Sequence, residues 1–277
     1  MKVCEGLHEG QTPIKTHEQH LAKTLYHQVL SGDVHMPHTL LSIDWDYFIS
    51  DQNHQVLSFI ENKRTVLDLW YKRYLQSQRS GINLMHLYFL SPDVKNFWTK
   101  IRSVFTIDSK PHVFVSDSHK LSYYIAKHYS CEHVYSFDAH ADLGYGGLSS
   151  LDYEVNCGNW LGKLFRDKLI KSASIIYSPF TYETPEYFEE INRLFNIEYI
   201  SHDELEILGH KQSFQRTNII SYIHICRSGA WTPPWYDADF DQFVQDLQFS
   251  YKIIKCPKRE WDVQHLSLAD QYYYLLA

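Results

Sequence analysis

The chain has 277 residues, with 26 Lys and Arg against 33 Asp and Glu and a formal charge of −7. A general nucleic-acid binder carries a basic surplus, so nucleic acid is not expected as a partner, and 44% hydrophobic with 16% aromatic residues can fill a large core. No apolar run reaches the roughly 18 residues of a membrane span, and the polar start MKVCEGLHEG lacks a signal-peptide core, so a cytoplasmic protein without membrane contact is expected.

In chain order, runs rich in β-branched, aromatic and aliphatic residues predict buried strands at 39–44, 82–90, 112–116, 133–138, 174–177, 197–201 and 219–226. Amphipathic stretches between them predict helices at 54–78, 120–129, 159–168 and 185–195, the last opening on a proline suited to a first turn. Strand and helix alternate, and the strands are apolar on both faces. That pattern predicts a three-layer α/β/α domain, a mainly parallel sheet flanked by helices, in one unit over 1–277. Five cysteines, scattered and without a CxxC pair, favour thiols in a reducing compartment. Ligands of such sheets bind beyond the carboxyl ends of the strands, so the residues that end each apolar run carry the functional reading.

The strand at 133–138 ends in FDAHADL, with Asp138, His140 and Asp142 at every second position and alanines between them. If the backbone stays extended, all three converge on one centre, and mixed oxygen and nitrogen donors suit Mn²⁺, Fe²⁺, Co²⁺ or Zn²⁺. The strand at 39–44 ends in SIDWDYF, which sets Asp44 and Asp46 two apart on one face. A third strand, HVFV, runs into SDSH and brings Asp117 and His119 to the same sheet edge, His119 as a further imidazole ligand. Four carboxylates exceed the need of one cation and point to two metals sharing a carboxylate.

These motifs resemble those of the ureohydrolase (arginase and agmatinase) superfamily. The combination of SIDWDYF, FDAHADL and CGNWLGKLF is more similar to a divergent branch that includes the peptide arginases, over about residues 39–205. The resemblance implies an arginase-like fold with permuted strand order, because the Asp-x-Asp strand here precedes the Asp-x-His-x-Asp strand. It implies two Mn²⁺ per chain, with Asp138 and Asp44 bridging, His119 and Asp142 on one ion, and His140 and Asp46 on the other. It further implies hydrolysis of arginine side chains in a ribosomally made precursor peptide to ornithine, with release of urea and with Asp142 transferring protons. The position of the family's catalytic His falls on Cys157, and a small buried cysteine is the competing reading there; His8, His17 or His20 is expected to replace the missing imidazole. Glu183 and Glu154 are the substitutes for the family's guanidinium-holding Glu. Trp231, Trp235 and Tyr236 could line a groove for a peptide, or simply pack in the core. A small guanidino substrate (arginine or agmatine) and a catalytically silent metal-binding interaction protein are the alternatives, and a homo-oligomer is left open. A deacetylase of related fold is disfavoured, since no HisHis pair occurs.

Overall fold

The computed structural model describes residues 38–51, 66–209 and 219–276. The segment His38–Asp44 (β1) is buried on both faces from Thr39 onward, as its run of apolar residues requires of a central strand. It pairs in parallel with Cys131–Asp138 (β5) on one side and Ile219–Cys226 (β8) on the other. Beyond β5 lie Ser172–Tyr177 (β6) and Ile197–Ile200 (β7), and beyond β8 lie Thr106–Ser116 (β4) and Tyr251–Ile254 (β9). The result is a seven-stranded, all-parallel sheet in the order β7-β6-β5-β1-β8-β4-β9, non-sequential as expected.

Side chains alternate across the sheet and separate two helical layers. Leu41, Ile43, Phe137, Ile223 and Ile225 point to the layer formed by Val66–Arg79 (α1), Phe97–Val104 (α2), His202–Gly209 (α6) and Asp237–Asp246 (α7). Leu40, Val134, Ala173 and Tyr222 point to the other, formed by Leu121–His128 (α3), Trp160–Arg166 (α4) and the short Glu189–Asn192 (α5). A last helix, Leu268–Leu276 (α8), comes after β9. The three-layer α/β/α architecture therefore stands.

Two local elements differ from expectation. Residues 82–90 do not form a sheet strand: Asn83 accepts the backbone N–H of Met85 and caps a 3₁₀ turn at Leu84–Leu87. Only Tyr88–Leu90 (β3) is extended, and it pairs antiparallel with Ile49–Asp51 (β2) in a separate ribbon. The helix expected over 185–195 is broken into a 3₁₀ turn, Pro185–Phe188, and α5. Of the helix expected over 54–78, the part from Val66 is present and residues 54–65 lie outside the described residues. The helices α2 and α7 and the strand β9 belong to stretches that the sequence left unassigned.

Candidate metal centre

The register that pairs Ile43 with Phe137 brings the ends of β1 and β5 side by side, so Asp44 and Asp138 are neighbours at the carboxyl edge of the sheet. Asp44 caps the 3₁₀ turn Trp45–Phe48: its Oδ1 accepts the N–H of Asp46 at 3.2 Å. Asp46 thus reaches the site by a turn and not, as expected, from the same face of an extended strand. Three successive amides of the loop after β5 are each taken by an acid. The N–H of Ala139 donates to Asp46 (3.3 Å), that of His140 to Asp138 (2.8 Å), and that of Ala141 to Glu183 (2.7 Å).

Two groups of donors result. In the first, Nδ1 of His119 lies 3.2 Å from Asp44 Oδ2, 3.0 Å from Asp138 Oδ2 and 2.9 Å from Asp142 Oδ2. In the second, Nδ1 of His140 lies 3.1 Å from Asp46 Oδ2 and 3.5 Å from Asp138 Oδ1. Two ligands each about 2.1 Å from one ion and at right angles to each other sit about 3.0 Å apart, so these separations match cis ligands around a shared cation. Hydrogen bonding does not account for the first group, because His119 Nδ1 and Asp138 Oδ2 are fully buried and have no hydrogen-bond partner. An orphaned pair of buried polar atoms costs stability unless something else satisfies both, and a divalent cation does.

Electrostatics point the same way. Burial, reinforced by Asp46, pushes Asp44 and Asp138 up to about 6, and burial with Asp138 pushes Asp142 up to about 6. Burial alone would lower His119, yet the surrounding carboxylates of Asp44, Asp138 and Asp142 hold it well above its ordinary value; Asp46 and Asp138 do the same to His140 against desolvation. Asp46 is the exception, brought below the usual carboxylate range by His140 in spite of its burial. The site is short of positive charge. Its two halves also differ in access, with the His119 side chain 1% exposed and that of His140 39% exposed.

Asp142 arrives by a route the sequence did not suggest. The backbone does not stay extended past Asp138; Asp142 adopts a left-handed conformation, φ 52°, which turns its carboxylate to His119 while His140 faces Asp46. The carbonyl of Asp142 accepts the N–H groups of Leu161 and Gly162, clamping the loop to α4. Gly162 is needed there, since a Cβ would stand 2.3 Å from the carbonyl oxygen of Leu143. Asp138 belongs to both donor groups, one oxygen toward each imidazole. Asp44, expected to bridge as well, stands in one group: its Oδ2 faces His119 and its Oδ1 accepts the Asp46 amide.

At the start of α4 the side chain that reaches the donor groups is Trp160. Its Nε1 donates to Asp142 Oδ2 at 2.6 Å, and its ring packs 4.8 Å from that of His119. Cys157 lies half-buried in the preceding turn, and among the described residues neither donor group contains a cysteine. Glu183 is brought to the loop by the Ala141 amide, but Glu154 is exposed and contributes its carbonyl to Asn159. Asp117 faces away from the site, in a buried ion pair with Arg227 at 2.9 Å. Trp235 is half-buried and packs edge-on against Trp70 and Tyr88 at the margin of the core. His8, His17 and His20 lie outside the described residues. Two contributors escaped the sequence reading: Ser228, which donates to Asp44 Oδ2 from the loop after β8, and Trp160, whose signal was the tryptophan of NCGNW.

Comparison with family models, with curated proteins and with solved structures finds no match for this chain. Among the described residues no helix is long and apolar enough to cross a membrane.

Proposed function

We propose that this protein is a binuclear metal-dependent hydrolase that acts on the guanidinium of arginine within a precursor peptide, leaving ornithine and releasing urea. The observation that carries the reading is the pair of donor groups joined through Asp138, with a ligand-spaced, orphaned imidazole at the centre of one of them. Asp44, His119, Asp138 and Asp142 would hold one ion, and Asp46, Asp138 and His140 the other. A bound pair of Mn²⁺ supplies a water acidic enough to attack near neutral pH, which a resonance-stabilised guanidinium otherwise resists.

The chain's own residues favour a cationic substrate. The sealed His119 side leaves the His140 side as the way in, and Glu183 and Asp46 set negative charge around it. Burial raises Glu183, partly offset by His140 and by a hydrogen bond from Tyr145, and the Ala141 amide fixes its Oε2 beside the loop. Asp142 presents Oδ2 to Trp160 and His119, so transfer of a proton to the departing amine falls to its Oδ1. The choice of a peptide over free arginine rests on the resemblance in SIDWDYF, FDAHADL and CGNWLGKLF.

Mass spectrometry of an arginine-containing peptide incubated with the Mn²⁺-loaded protein tests this. The expected product is lighter by about 42 mass units per arginine, the difference between a guanidinium and an amine, with one urea for each. Urea released only from free arginine or agmatine overturns the peptide substrate. The position of Cys157 outside both donor groups favours a second reading, a metal-binding module without turnover; bound metal with no urea from any guanidino compound decides for it.

A further inference from the structure

We propose that His224, Ser122 and Ser42 are positioning residues that fix the tautomer of His119 so that Nδ1 offers a lone pair to a metal ion. This rests on the metal-centre reading above and deepens it. His224 is 0% exposed and lies in β8 directly beside Ser42 of β1 in the strand register. A continuous row of hydrogen bonds crosses three neighbouring strands and the helix that covers them. From His119 Nε2 it runs to Ser42 Oγ (2.8 Å), to Ser122 Oγ (2.6 Å), to His224 Nδ1 (2.6 Å), and from His224 Nε2 to Ser116 Oγ (2.9 Å).

The direction of the row is set by its far end. Ser116 donates its hydroxyl proton to the carbonyl of Ser118 at 3.0 Å, and a carbonyl can only accept. Ser116 must then accept from His224, whose Nε2 carries the proton. A fully buried ring held between two serine hydroxyls, with no carboxylate bonded to it, stays neutral. Nδ1 of His224 is therefore an acceptor, and Ser122 donates to it. Ser122 in turn accepts from Ser42, and Ser42 accepts from Nε2–H of His119. A neutral His119 so arranged has no proton on Nδ1, the atom that faces Asp44, Asp138 and Asp142 without a hydrogen-bond partner. The reverse direction requires Ser116 to turn away from the Ser118 carbonyl and gives up one buried hydrogen bond.

The full chain, ¹⁵N-labelled and titrated with Zn²⁺ as a diamagnetic probe, tests the row by long-range ¹H–¹⁵N NMR of the imidazoles. The expected result is a neutral His224 protonated at Nε2, and His119 protonated at Nε2 with zinc on Nδ1. Ser122→Ala is expected to weaken zinc binding by about 10- to 100-fold in chelator competition, with Ser122→Thr, which keeps the hydroxyl, restoring most of it. Zinc binding by the wild type with His224 protonated at Nδ1 overturns the row alone. So does a Ser122→Ala variant that binds zinc as tightly as the wild type, whatever its thermal stability. A wild-type chain that takes up no zinc overturns the metal centre and the row together.

Discussion

Two clusters of buried acids stand at the carboxyl edge of the sheet, and they are neutralised in opposite ways. Beyond β4 and β8, Asp117 and Asp237 meet Arg227 and Arg259: Arg227 reaches both acids, at 2.9 and 3.2 Å, and Arg259 closes on Asp237. Two acids face two guanidiniums, which cannot lose their charge. Beyond β1 and β5, four aspartates face two imidazoles, and three of the four are pushed up to about 6. The first cluster holds its own cations and serves the fold. The second lacks them, and a buried carboxylate group short of positive charge is a place for an ion from outside.

The largest effect expected concerns the acid shared by both metal groups. Asp138→Asn keeps the shape of the side chain but removes its charge, and metal content after gel filtration should fall from about two ions per chain to none. With chelator present, the same variant should melt no lower than the wild type, because one of several repelling carboxylates is gone. Retention of both ions breaks the assignment of Asp138 as the bridge. Arg227→Met gives the contrasting result. It strands Asp117, 3% exposed, without its partner, and unfolding in denaturant should show a loss of about 3–5 kcal/mol that metal and chelator alter equally. A loss that appears only in the metal-free protein joins the two clusters and ends the distinction.

The pH dependence sharpens it further. In the metal-free protein Asp44, Asp138 and Asp142 hold protons up to about pH 6, against an ordinary value of 3.8, so the native chain binds protons that the unfolded chain has released. Stability then falls as pH rises between those values. His119 and His140, also raised, extend the fall past neutrality; Asp46 runs the other way, losing its contribution as pH drops, as do His133 and His224, which burial holds below their ordinary value. Thermal unfolding with chelator should therefore show a melting temperature that declines from pH 5 to 8. Added Mn²⁺ should raise it most at pH 8, where the ligands are deprotonated. A chelated protein most stable at pH 8 contradicts the charge deficit.

The sheet was legible because its strands are apolar on both faces, and Asp44, Asp46, His119, Asp138 and His140 were legible because each lies just past such a strand. The same signal could not separate Asp117 from them. Asp117 directly follows β4 as Asp138 ends β5, but its partner is 110 residues away in sequence, and only the packing of the loop after β8 reveals it. Spacing misled on Asp142, where every-second-residue alternation suggested an extended strand and a left-handed turn brings the carboxylate in instead. Ser42, Ser122 and His224 were hidden for a related reason: a lone serine or histidine inside an apolar strand or helix reads as a tolerated polar residue until its neighbours across the sheet are known.

The smallest effect separates support of a ligand from support of the loop that carries it. Trp160→Phe keeps an aromatic ring against His119 but removes the N–H that holds Asp142 Oδ2. The loop itself stays clamped, because Leu161 and Gly162 still donate to the carbonyl of Asp142. Asp142 should then be free to rotate, and a ligand without its supporting hydrogen bond costs about tenfold in metal affinity. The loss should fall on the His119 group, leaving the ion held by Asp46 and His140 at its former affinity, since neither touches Trp160. Chelator competition that resolves two binding steps reads this directly. If both steps weaken together, the tryptophan acts by shaping the whole loop, and the two ions are coupled through the backbone of residues 138–142 as well as through the shared carboxylate of Asp138.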